Sequence, residues 1–365
     1  MRMHVVVIGA GVVGSAVALR LARDSARVTL LDAREPGAGT SSTSFAWIGA
    51  SAAALRDYRA LNVAGVAAYA RMEAELGPRG WLRRTGSLVW HTDPERGAEL
   101  AAEVAALADM GYASRLLDPE QALALEPSLR LAPGVEHVAF HPDEGHADGR
   151  RMAAELAARA VDAGAELRTG VEVSGVGDGT VALATGERLT ADAVVLCVGR
   201  WTGELSGVAM VGAQERGALP IGLLVTTGAA PEPVGRVVVA DDVMIRPGDE
   251  GGLLLHADEQ DRLVHPDDDP ASVAGVAEQV LDAARRHVVV PEALGVTRAV
   301  VGLRALTADL LPAVGPLSDR TYVAVTHSGI TLAPALGELV AAEVLGRGEE
   351  PLLAPFRPDR LTRRT

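Results

Sequence analysis

The sequence predicts an α/β fold. A Rossmann-like nucleotide-binding domain, assembled from separated segments, carries an α+β second domain built on an antiparallel sheet. Three observations predict it. The apolar run Val5-Val6-Val7-Ile8 feeds directly into Gly9-Ala10-Gly11-Val12-Val13-Gly14 and then into Ser15-Ala16-Val17-Ala18-Leu19, a strand, a glycine turn and a helix. At 365 residues the chain exceeds the usual reach of one hydrophobic core, so two domains are expected. Segments of βα type lie at the beginning, middle and end, with short antiparallel-type strands between them.

In the opening unit, Gly9 permits a tight turn, Gly11 lets backbone approach a pyrophosphate, and Gly14 lets helix pack on strand. Val12 and Val13 begin a helix whose free N–H groups and positive dipole end face the phosphates. The second strand, Arg27 to Leu31, ends in Asp32, close to the offset of about 20 residues at which a carboxylate grips a ribose hydroxyl. Ala33 and Arg34 continue that edge. This context predicts an adenine dinucleotide site, and by itself it leaves NAD and FAD equally open.

The small-residue stretch Gly37 to Ser44 offers hydroxyls from Thr40, Ser41, Ser42, Thr43 and Ser44 for phosphate or ring-edge hydrogen bonds; it also fits a plain surface loop. Helical spacing then runs from Ala54 to Leu76. Gly86 to Trp90 reads as a strand, Glu95 to Met110 as a helix, and Asp118-Pro119-Glu120 as a capped helix start. Arg150 to Ala163 is a helix closed by Gly164, and Glu166 to Val173 a strand. Val181 to Leu183 with Glu187 to Leu189 reads as a hairpin, and Asp192 to Gly199 as a buried parallel strand meeting a glycine. Antiparallel-type strands follow at Ile221 to Thr226, Val237 to Ala240, Val243 to Arg246 and Leu253 to His256. A helix from Pro270 to Val288, strands at Val300 to Leu303 and Thr321 to Thr326, and a helix from Thr331 to Leu345 complete the chain.

Composition narrows the function. A formal net charge of −14 disfavours nucleic acid and anionic membrane as partners. No stretch approaches the roughly 18 uninterrupted apolar residues of a membrane span, and the single cysteine fits a reducing compartment, so a cytoplasmic protein is expected. All 34 basic residues are arginine, which excludes Schiff-base chemistry and leaves no lysine to assist a reaction with oxygen. His4, His91, His137, His141, His146, His265 and His287 show no metal-ligand spacing, and no metal is expected.

Four islands together resemble the D-amino-acid oxidase, glycine oxidase and sarcosine oxidase (DAO) family of FAD enzymes. They are the fingerprint through Asp32, the loop Thr40 to Trp47, the run Val194-Val195-Leu196-Cys197-Val198-Gly199-Arg200-Trp201, and Gly302-Leu303-Arg304 with Asp309, Pro312, Gly315 and Thr326-His327-Ser328-Gly329-Ile330-Thr331-Leu332. The resemblance implies an oxidoreductase with FAD as cofactor. Its FAD-binding domain would comprise residues 1–80, 147–218 and 297–365, with a substrate domain of 81–146 and 219–296. Val173, Gly199, Trp201, Ser328, Gly329, Ile330 and Thr331 would join the fingerprint in holding FAD, the last four at a helix start facing the flavin's pyrimidine edge.

The resemblance also implies a small amino acid or amine as substrate and oxygen or another electron acceptor. Arg304 would grip the substrate carboxylate through its planar fork beside the flavin. Ala305 departs from the proline usual after that arginine, and the tyrosines and lysine that relatives place over substrate or flavin have no counterparts. Phe45 and the strand-bound Cys197 point to non-covalent FAD. His256, Arg246 and His327 are the candidates for shaping the amine end or promoting the oxygen reaction, though each also fits a satisfied or solvated side chain. Three other functions stay open: a biosynthetic flavoenzyme acting on a larger or unusual amine, an NAD(P)-dependent two-domain dehydrogenase, and a flavin-binding protein without amine chemistry.

Overall fold

The computed structural model describes residues 2–51, 55–230, 234–248 and 251–362. The opening βαβ unit forms as strand His4–Ile8, helix Val12–Arg23 and strand Arg27–Leu31. His4–Ile8 lies between Arg27–Leu31 and Ala193–Leu196, parallel to both. Glu166–Arg168 extends one side in parallel, and Thr321–Val325 extends the other before antiparallel Ala313–Ser318 ends the six-stranded sheet. Strands from the beginning, middle and end of the chain therefore share one sheet.

The central strand is apolar at every buried position because both of its faces are covered. Val5 and Val7 meet helices Val12–Arg23, Gly149–Asp162 and Gly329–Val344, whereas Val6 and Ile8 pack against Val181 and Leu183. The latter belong to a separate meander, Val173–Gly177, Thr180–Leu183 and Arg188–Thr190. Helix Gly329–Val344 crosses Val12–Arg23 closely: a Cβ on Gly337 would lie 2.9 Å from the Ala16 carbonyl oxygen. Helix Arg56–Leu76 crosses its other side, where a Cβ on Gly65 would lie 2.6 Å from the Thr331 carbonyl oxygen.

The second core rests on an eight-stranded sheet. Its order is Val296–Leu303, Ile221–Thr227, Leu253–His256, Met244–Pro247, Val237–Val239, Ser87–Val89, Val138–His141, Arg115–Leu117. Neighbours are antiparallel except Val237–Val239 with Ser87–Val89. Side chains alternate across a strand. Ile221, Leu223, Val225, Ile245, Leu253 and Leu255 pack under helix Pro270–His287. Their alternates Leu224, Met244, Arg246, Leu254 and His256 occupy the opposite face. A three-stranded patch of Trp47–Ile48, Gly145–Ala147 and Leu82–Arg83 completes the sheets.

Several expected boundaries move. The strand expected from Glu166 to Val173 is two strands in two sheets, separated by a turn in which Gly170 takes φ +68°. The last helix starts at Gly329, two residues before the expected Thr331. Strand Ala313–Ser318 was not expected, because Pro316 and Gly315 at φ +154° disguise it. Val296–Leu303, expected mostly within the FAD-binding segment 297–365, pairs along its length with Ile221–Thr227. Residue 54, the expected start of a helix, lies outside the described residues. Among the described residues, no helix is long and apolar enough to cross a membrane.

Candidate active site

The glycine fingerprint is a steric necessity. Gly9 takes φ +99°, and a Cβ there would lie 2.4 Å from the Cys197 carbonyl oxygen. A Cβ on Gly14 would lie 1.8 Å from the Gly9 carbonyl oxygen, so only glycine lets helix Val12–Arg23 seat on its strand. A Cβ on Gly11 would meet only the Ser41 hydroxyl, at 3.3 Å, so this glycine keeps backbone open for a ligand. Asp32 organises the turn: its carboxylate accepts from the Ala10 N–H at 2.7 Å and the Arg34 N–H at 2.8 Å.

These residues border a cavity of about 460 Å³. Gly9, Gly11, Val12, Val13, Asp32, Ala33, Arg34, Thr40, Ser41, Ser44, Val173, Gly199, Trp201, Gly329 and Ile330 line it, as expected, together with His327. Gly14 lies behind the wall. Ser42 instead donates to the Gly39 carbonyl, and Thr43 packs beneath Gly302, so neither borders the cavity. Ser328 bonds Tyr58 at 2.6 Å, and Thr331 ties down the Trp47–Gly49 backbone. Arg34 and Arg200 both stack on Trp201, with guanidinium carbons 5.0 and 4.2 Å from its ring centre. Val171, Glu172, Glu204 and Leu205, which the sequence did not single out, complete the same end.

Two helix N-termini open on this cavity, at Val12 and at Gly329, and neither helix has an acidic residue in its first turn. Both aim positive dipole ends and free N–H groups inward. The second helix needs help, because Pro334 supplies no N–H to the Ile330 carbonyl. The Tyr69 hydroxyl donates to that oxygen at 2.5 Å instead. A cavity lined by an open glycine, the Asp32 carboxylate and two anion-favouring helix ends fits FAD. Cys197 is buried, and burial pushes its thiol up to about 12, so it stays protonated.

At the far end, Thr40 donates to the Leu303 carbonyl at 2.8 Å and Ala305 lines the cavity, placing Arg304 at its rim. Both terminal nitrogens of the Arg304 guanidinium are engaged within the protein. Nη1 donates to the carbonyls of Leu219 at 3.0 Å and Ile221 at 2.8 Å. Nη2 reaches Asp261 Oδ2 at 2.6 Å and His256 Nε2 at 3.0 Å. The fork expected to face a substrate carboxylate thus faces a carboxylate of the chain itself.

The cluster arises where a β-ladder stops. Ile221–Thr227 pairs with Leu253–His256 only at Val225 and Thr226, leaving Leu223 beyond the paired residues. Asp261 Oδ1 accepts the Leu223 N–H at 2.6 Å, and His256 Nδ1 lies 3.1 Å from the Leu223 oxygen. A carbonyl only accepts, so Nδ1 carries the proton. The exposed Asp258 places Oδ1 3.1 Å from the same His256 Nε2 that Arg304 Nη2 reaches. His256, Asp258 and Asp261 present ligand atoms within 4.8 Å of one another, a grouping their sequence spacing did not suggest. Leu223 and Arg304 already engage both Asp261 oxygens, so the group is spent as a metal site.

Arg246 sits 5.7 Å from the Phe45 ring centre, donating to the Phe45 carbonyl at 2.6 Å and reaching His146 Nδ1 at 3.2 Å. Burial, with the Arg246 charge beside it, lowers His146 to about 3, and its Nε2 is buried without a partner. His327 turns its ring into the cavity, where surrounding protein and the Arg304 charge lower it to about 4. At about 4 its imidazole is neutral near pH 7.

The sequence analysis also missed Glu144. Fully buried, it accepts from Trp47 Nε1, the Ala50 and Ser51 N–H groups and the hydroxyls of Ser51, Ser87 and Tyr112. It fastens the Trp47 loop beside the cavity to the eight-stranded sheet. No local pattern announces it, because its partners lie 32 to 97 residues away.

Residues 4–343 match the family described as "DAO: FAD dependent oxidoreductase". The chain is 26% identical to the uncharacterized oxidoreductase YurR of Bacillus subtilis, over 97% of this chain and 98% of that one. It is 25% identical to glycine oxidase of Bacillus licheniformis over 94% of each chain. The crystal structure of glycine oxidase from Geobacillus kaustophilus superposes with a TM-score of 0.82 at 27% identity, covering 100% of this chain and 99% of that chain. With a family match spanning the length of the fold and a cavity whose donors fit the cofactor, this chain belongs to the DAO family of FAD-dependent oxidoreductases.

Proposed function

We propose that this enzyme oxidises the C–N bond of a small primary or N-substituted amino acid. The observation that carries the reading is that His327 and Ala305 line the cavity while the Arg304–His256 pair stands close enough for both to act on His327; His256 in turn belongs to the sheet face bearing Leu224, Met244, Arg246 and Leu254. Leu224, Met244 and Leu254 give that face an apolar stretch, which suits an alkyl amine held as the neutral base. The glycine oxidases among its relatives favour an amino acid of small size.

When bound, non-covalent FAD supplies the acceptor for the hydride that leaves the α-carbon, at flavin N5. Loss of the Cα–H pair as hydride lets the nitrogen lone pair form the C=N bond of an iminium, which water hydrolyses to an oxo acid and ammonia or an amine; oxygen or another acceptor would be the final oxidant. The protein's contribution is orientation and exclusion of water, and no side chain is needed as base once the amine is deprotonated. Arg304 anchors the carboxylate, His256 orients Arg304 through Nε2, and the sheet face packs the side chain. Neutral His327 borders the reacting end as a hydrogen-bonding group.

The test is an anaerobic visible titration of the yellow protein with glycine, sarcosine and D- and L-amino acids. Bleaching by a member of this panel supports the reading. A flavin spectrum that every member leaves unchanged overturns it and moves the assignment to a larger, biosynthetic amine.

A further inference from the structure

We infer that Asp261 is a specificity-determining residue: it is an internal competitor that occupies the Arg304 fork and sets how tightly a substrate carboxylate is held. This inference rests on the amino-acid reading above and deepens it.

A guanidinium has five N–H groups, and a two-point carboxylate contact needs a parallel pair of them. The two Nη1 donors go to the Leu219 and Ile221 carbonyls, and those of Nη2 to Asp261 and His256. Only Nε is left without an assigned partner, so no parallel pair remains. A substrate carboxylate must therefore take donors from Asp261 and His256.

Asp261 does not yield by moving away. Its other oxygen holds the Leu223 N–H at 2.6 Å, and its side chain is 8% exposed against 24% for Arg304. The arginine is the partner with room, and a substrate that turns it leaves the Asp261 charge behind in a buried place. Asp258, 4.0 Å from Arg304, adds a second negative charge at the same rim. Carboxylate binding is opposed by both. A substrate with further contacts along Leu224, Met244 and Leu254 meets that opposition better than glycine does, so the enzyme discriminates for amino acids with an apolar side chain or N-substituent.

The test uses the FAD-loaded enzyme and acetate, a carboxylate that cannot be oxidised at a C–N bond, with binding read from the perturbed visible flavin spectrum. Asp261→Asn keeps an oxygen for the Leu223 N–H and removes the charge. Acetate should bind the variant about tenfold tighter or more. The amino-acid KM should fall in parallel at little-changed kcat, and the KM for ethylamine, which lacks a carboxylate, should stay constant. Adding Arg304→Leu should erase the gain. Acetate binding that is unchanged or weakened by Asp261→Asn overturns the inference, as does a gain that survives Arg304→Leu. If the amide variant folds poorly, Asp261→Ser, which also lacks the charge, repeats the measurement. Tighter acetate binding in an enzyme that no amine reduces would uphold the competitor role while refuting C–N oxidation.

Discussion

The two ends of the cavity are built in different ways. The nucleotide end is made of backbone: Gly9, Gly11 and Gly14 shape it, and helix starts at Val12 and Gly329 supply its donors. The proposed reacting end is made of side chains drawn from remote segments, with Arg304, His256 and Asp261 meeting where a ladder ends, and Arg246 meeting His146 next to Phe45. A backbone site fails when a single atom is added. A side-chain site can be retuned residue by residue while the cofactor stays bound, which is how one scaffold serves many substrates.

The largest expected effect breaks the backbone end. Gly14→Ala forces a methyl group to 1.8 Å from the Gly9 oxygen. It should cost on the order of 5 kcal/mol, seen as loss of soluble, FAD-loaded protein and of its near-ultraviolet circular dichroism. Next comes the joint between the two ends. Glu144→Ala leaves the buried partners on Trp47, Ala50, Ser51, Ser87 and Tyr112 without an acceptor. The loss should be on the order of 4 kcal/mol in urea unfolding.

The smallest effect sharpens the reacting end. His146 is lowered from 6.5 to about 3 in the fold, so the unfolded chain binds its proton first as pH falls. Its contribution to stability is intact above 6.5 and drains as pH drops toward 3. Between pH 7 and pH 5 the parent protein should lose on the order of 1–2 kcal/mol more than His146→Gln, compared by denaturant unfolding at each pH. Equal losses would mean that His146 is not held neutral.

What was legible in the sequence divides along the same line. The fingerprint, Asp32, the Gly199–Trp201 turn and the late helix start are local patterns, and each contributes residues to the cavity wall. Within the hydroxyl loop, pattern alone did not separate Thr40, Ser41 and Ser44 from Ser42 and Thr43, because the short helical turn at Thr40–Ser42 decides which way each side chain faces. Arg304 and His256 were visible as residues, but their bond was not. Asp261 and Glu144 gave no signal, since a carboxylate in an acidic protein is conspicuous only once its distant partners are in place.

The most direct test of this division is a paired visible spectrum of the parent protein and Arg304→Leu, each titrated anaerobically with the same amino acid. Both should be yellow with bound FAD. The parent should bleach, and kcat/KM for the variant should fall by about 100-fold or more, the loss of a charge-assisted carboxylate contact. A variant that bleaches with unchanged kcat/KM, or one that no longer holds FAD, would contradict the account.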